Sequence, residues 1–133
     1  LPSLFTGNLI KRFGFSNIMY TGVFFYALTI SLSLFEPIFI NYFASLIFLG
    51  IGWNFLYISG TSLLVTTYNE HEKFKAQGFN DLIVFSATAI GSLSAGILIS
   101  LLSWKIVNFM CIPFLIIILF VILRADIKKA PVN

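Results

Sequence analysis

The chain has 133 residues, of which 59% are hydrophobic and 10% charged, with 8 Lys or Arg against 5 Asp or Glu. A soluble domain carries about 25% charged residues, so a soluble globular domain is excluded, and with it a soluble nucleic-acid binder. Cys111 is the single cysteine, which excludes a disulfide-stapled secreted scaffold.

The charges are clumped, leaving uncharged stretches at Phe13–Phe35, Pro37–Asn69, Leu82–Trp104 and Ile106–Leu123, of 23, 33, 23 and 18 residues. A helix rises about 1.5 Å per residue and the hydrocarbon layer is about 30 Å thick, so roughly 20 apolar residues cross it. The expectation is an all-α, polytopic transmembrane helix bundle with four spans. Only helices satisfy their own backbone hydrogen bonds in an open segment within lipid.

In chain order, Leu1 to Ile10 reads as the last turns of a helix that is closed by Lys11 and Arg12. The chain opens on Leu1 within an apolar run and shows no secretory signal, so it reads as a fragment of a longer membrane protein. A first span is expected over 16–35, followed by a turn at Glu36-Pro37. The second span, 38–67, is the longest. Asn54, Tyr57, Thr61 and Tyr68 follow one another there at steps of 3, 4 and 7 and share a helical face. That stripe either lines an aqueous cavity or bonds to a neighbouring helix. Trp53, Asn54, Tyr57 and Thr61 are the candidate solute contacts, and the Asn54 amide both donates and accepts.

Asn69 to Asp81 reads as a polar loop, in which Gly78 turns the backbone and Asn80 or Asp81 caps the next helix. A gate contact between this loop and a basic group is the sharper alternative. The third span, 82–102, carries small residues at helical spacing, Ala87, Gly91 and Ala95 with Ser92 and Gly96 beside them, which suits close helix packing. Ser103-Trp104-Lys105 forms a hairpin into the fourth span, 107–123, whose near-complete apolarity places it at the lipid-facing periphery.

Basic residues stay preferentially on the cytoplasmic side. Lys11, Arg12, Lys73, Lys75, Arg124, Lys128 and Lys129 fall on one side of this topology and only Lys105 on the other. The segments 11–15 and 69–81 and the carboxyl-terminal tail are therefore expected in the cytoplasm. No charge lies deep within any span, so no intramembrane proton relay or ion site is expected. His71 has no second histidine to join it at a metal, Cys111 has neither His nor acid near it in sequence, and no nucleophile and base pair is present. The chain is read as not an enzyme and as needing no cofactor.

The segment GNLIKRFG, Gly7 to Gly14, resembles the cytoplasmic loop motif G-x-x-x-D-R-x-G of the major facilitator superfamily of secondary transporters. Gly7, Arg12 and Gly14 match, while Lys11 stands in place of the usual Asp. GIGWNFLYISGTSLLVTTY, KAQGFNDLIVF and SLSAG are similar to the tenth and eleventh helices of bacterial members. The resemblance implies a partial facilitator fold from the carboxyl-terminal half: the end of helix eight and helices nine to twelve, the tenth lining a central cavity, the eleventh packing on the other half. It implies a missing amino-terminal half, a lipid bilayer and a small solute as partners, and no nucleic acid. A membrane-anchoring or sensory module of a larger protein is the alternative.

Overall fold

The structure, a computed structural model, describes residues 2–35 and 38–124. It contains four helices: α1 (Pro2–Leu34), α2 (Phe39–Thr67), α3 (Glu70–Leu101) and α4 (Trp104–Arg124). All four are long and apolar enough to cross a membrane. The expected turn at Glu36-Pro37 and the tail beyond Arg124 lie outside the described residues.

α1 is broken at Gly14, whose φ of 80° and ψ of 161° are not helical. Side chains beyond glycine essentially never occupy that region. The break is a reversal of direction. Thr6 bonds to Asn54 of α2, while sixteen positions later Gly22 touches Gly52, close to the same level of α2. A straight helix would separate the two by about 24 Å. The arms 2–13 and 15–34 therefore fold back on each other at Gly14, and both lie along α2.

The second arm meets α2 where both helices have a glycine. A Cβ built on Gly52 would lie 3.0 Å from the Gly22 carbonyl oxygen, and one on Gly22 would lie 3.2 Å from that of Gly52. Without a hydrophobic force to join helices in lipid, close backbone approach supplies the attraction. Toward one end of this seam Phe25 and Phe48 stack at 5.6 Å, and the Thr29 hydroxyl reaches the Ser45 carbonyl at 3.3 Å. Toward the other, Ile10, Phe15, Ile18, Met19 and Val23 form the buried core with Ile122 of α4. α1 thus packs extensively on α2, and on α4 to a lesser extent.

α3 departs most from the sequence expectation. It begins at Glu70, so 70–81 is helix and not a polar loop. Asn69 occupies the N-cap position, without a side-chain cap, and its carbonyl accepts from the amides of Glu72 and Lys73. Asn80 and Asp81 therefore cap nothing, and Gly78 makes no turn. Glu72 complements the positive end of the helix dipole, and a single internal glycine costs only about 1 kcal/mol. The close helix packing expected of Ala87, Gly91, Ser92, Ala95 and Gly96 is not found among the described residues. All but the half-buried Ala95 are exposed, and nothing lies within 4 Å of a Cβ built on Gly91 or Gly96.

The basic residues collect at one end of the bundle. Lys11 and Arg12 sit at the Gly14 reversal, Lys73 and Lys75 near the start of α3, and Arg124 at the end of α4. The far end carries Trp104, whose ring meets that of Tyr42 at 5.7 Å, with Lys105 beside it.

Candidate functional site

Residues of the α2 stripe make different contacts. Asn54 accepts a hydrogen bond at 2.8 Å from the buried Thr6 hydroxyl, tying α2 to the first arm of α1. Its carbonyl oxygen is engaged within the helix packing. The Thr61 hydroxyl turns back to the Tyr57 carbonyl at 2.7 Å, the usual outlet for a threonine inside a helix.

Trp53 and Tyr57 stand one turn apart on α2, Trp53 exposed and Tyr57 half-buried. Their rings are 5.9 Å apart at centroids and parallel within 6°, and Trp53 is 44% exposed. The Tyr57 hydroxyl donates to Asp81 Oδ1 of α3 at 2.9 Å, and Asn80 Nδ2 lies 3.5 Å from the same oxygen. Because α3 starts at Glu70, Asp81 stands eleven residues into the helix, about 16 Å from its first residue. The helix is longer than the roughly 30 Å hydrocarbon layer requires, and Asp81 stands on its shaft immediately before the uncharged run that opens at Leu82.

Nearer the basic end, an open cavity of about 350 Å³ lies between the Gly14 reversal, α2 and α3. Gly7, Ile10, Lys11 and Phe15 form one wall, Thr61, Ser62, Val65 and Thr66 a second, and Gln77 a third. Among the gate residues expected from sequence, Gly7 lines this cavity, Gly14 makes the reversal, and the Arg12 guanidinium lies over the Phe13 ring at 5.3 Å. Gly78 touches nothing that a Cβ would meet. Lys11, Ser62 and Gln77 were not singled out from sequence as site residues. Once α3 is known to begin at Glu70, Gln77 is one turn from Asp81 and shares its face.

No group of three or more His, Cys, Asp or Glu able to hold a metal occurs among the described residues. Cys111 is exposed, with its thiol 3.4 Å from the Val107 carbonyl.

The sequence profile of the Major Facilitator Superfamily matches residues 2–133, essentially the whole chain. The chain belongs to the major facilitator superfamily. A protein named riboflavin transporter RfnT, from Brucella anthropi, is 38% identical over 130 residues, covering 97% of this chain and 33% of its own length. An uncharacterized MFS-type transporter of Bacillus subtilis, YdeG, is 32% identical over 102 residues, covering 75% of this chain and 24% of its own. The facilitator chain thus spans about a third or less of the curated relatives it matches. No solved structure matches it. Members of the family are transporters and not enzymes, and the four helices of this chain suit a multi-pass membrane protein.

Proposed function

We propose that this chain is the carboxyl-terminal portion of a secondary transporter that moves a small solute by alternating access. In that mechanism a site near the bilayer midplane, between two halves of the protein, opens to each side in turn as the halves rock. The observation that carries the reading is the Trp53, Tyr57 and Asp81 constellation. An ionised or hydrogen-bonding side chain at membrane depth faces protein or water, because lipid cannot satisfy it, and in this reading the Tyr57–Asp81 pair faces the pathway.

α2 supplies the wall through Trp53, Asn54, Tyr57 and Thr61, with Asn54 also fixed by Thr6. The exposed strip Ala87, Gly91, Ser92, Ala95 and Gly96 of α3 packs against the amino-terminal half, and the outer faces of α3 and α4 meet lipid. The concentration of Lys and Arg at the Gly14 end supports a cytoplasmic position for that end. The cavity there, with Gly7, Arg12 and Gly14 at the reversal and Gly78, Asn80 and Asp81 on α3, forms the cytoplasmic gate region. The Brucella anthropi relative's name makes riboflavin the first solute to assay.

The test uses the full-length protein with its native cysteines replaced and Tyr57→Cys introduced. A membrane-impermeant maleimide is applied from each side in turn. Alternating access gives labelling from both sides, whereas labelling from neither side or from one side only removes Tyr57 from a two-sided pathway. The 133 residues alone, which form no second half, support no solute uptake into vesicles.

A further inference from the structure

Trp53 and Tyr57 are one helical turn apart, and their rings stack parallel within 6° at 5.9 Å between centroids, with Trp53 exposed. Tyr57 is held in that stack by its hydrogen bond to Asp81 Oδ1. The Asn80 contact falls on the same Oδ1 atom, and Asp81 Oδ2 has no hydrogen-bond partner among the described residues. A carboxylate oxygen only accepts hydrogen bonds and does so strongly. The pair therefore combines exposed aromatic surface with an unfilled acceptor on the carboxylate that Tyr57 bonds.

We infer that the transported solute is a planar heteroaromatic molecule that stacks on the Trp53 and Tyr57 rings and directs an N–H donor to Asp81 Oδ2. This rests on the reading of α2 as the pathway wall and adds to it the class of solute. Stacking on an exposed aromatic ring is a substantial and shape-selective source of affinity for a flat ring system. A few placed polar groups beside an apolar face fix orientation. An organic cation is disfavoured, because recognition of a quaternary ammonium relies on several rings enclosing the charge, and these two rings stack on each other and form no enclosure. Asp81 has a second task as a positioning residue, since its Oδ1 sets the Tyr57 ring.

The test is calorimetric binding to the full-length protein in lipid nanodiscs, with riboflavin, adenosine, 3-methylriboflavin and choline as probes. Riboflavin carries an imide N–H that the 3-methyl compound lacks. The expected result is binding of riboflavin or adenosine and not of choline, weakened by roughly five- to a hundredfold in Trp53→Ala and Tyr57→Leu. Where riboflavin binds, 3-methylriboflavin binds more weakly. Trp53→Phe keeps a ring and restores most of the affinity, which separates stacking from a folding defect. Tyr57→Phe, which keeps the ring but releases Asp81, gives a smaller loss than Tyr57→Leu. The inference is overturned if neither planar probe binds, if the ring-removing variants bind as wild type does, or if choline binds as well as riboflavin. Two-sided labelling uses no solute, so intact labelling with failed binding removes the solute class and leaves the transport reading in place.

Discussion

Gly52→Ala tests the seam on which the fold depends. The added methyl would stand 3.0 Å from the Gly22 carbonyl oxygen, 3.0 Å from Tyr26 Cδ2 and 3.3 Å from Phe25 Cβ. Non-bonded carbon atoms sit best at about 3.5–4.0 Å, so the neighbours must retreat by several tenths of an ångström. Tyr26 can swing away, but the carbonyl belongs to the backbone of α1 and can retreat only if the helices part. Overpacking of this kind costs about 1–3 kcal/mol. Against it works the gain of about 1 kcal/mol when alanine replaces glycine inside a helix.

Gly50, on the same helix, separates the two terms, because nothing lies within 4 Å of a Cβ built there. Gly50→Ala collects the propensity gain alone. The two variants should therefore differ by about 1–3 kcal/mol, with Gly52→Ala the less stable. The assay is reversible unfolding of the purified full-length protein by SDS in mixed micelles, comparing both variants with wild type. Equal stability of the two, or a more stable Gly52→Ala, would refute the claim that backbone contact between α1 and α2 sets their spacing.

The reversal at Gly14 gives a second comparison: Gly14→Ala forces a Cβ onto φ 80° and should cost about 1–3 kcal/mol, whereas Gly7→Ala, at ordinary helical geometry with open space around it, should be neutral or slightly stabilising in the same micelle assay. Thr6→Val and Asn54→Leu, singly and together, should show a coupling near about 0.6 kcal/mol, the average for hydrogen bonds between membrane helices; strict additivity would mean that the 2.8 Å bond contributes nothing. Cys111→Ser should shift stability by less than about 0.5 kcal/mol, because the thiol is exposed and a serine hydroxyl can bond to the same Val107 carbonyl; a larger loss would place Cys111 at a contact outside the described residues.

The positions of the helices were legible in the sequence because the bilayer leaves so little choice. An uncharged run long enough to cross must be helical, and α2 at Phe39–Thr67 follows the expected 38–67 closely. The contacts between helices were far less legible. The small-residue strip of α3 is conspicuous as a pattern yet has no partner among the described residues. The actual close approach uses one glycine from each of α1 and α2, and single glycines on different helices leave no periodic trace. Asn54 was singled out for its amide, and half of the alternative then left open, a bond to a neighbouring helix, is realised through Thr6. Nothing along the chain announced Thr6 as that partner, because the two meet only after the reversal at Gly14.

The start of α3 explains why the acid was misplaced. Charge density along 69–81 suggests a solvated loop, in which Asp81 would cap the next helix. Hydrogen bonding decides otherwise: from Glu70 onward each helical turn satisfies backbone groups that a loop would leave to water, and neither Glu72 nor the single Gly78 opposes it enough to break the run. Extending the helix by twelve residues moves Asp81 from a cap to a side chain of the shaft. There it reaches the phenol of Tyr57, across from α2, at 2.9 Å. The same shift makes a polar segment and an aromatic stripe, separate in sequence, into two sides of one surface. A carboxylate acceptor of α3 and two stacked rings of α2 then meet, and that juxtaposition, which neither helix contains alone, directs the choice of solute to test.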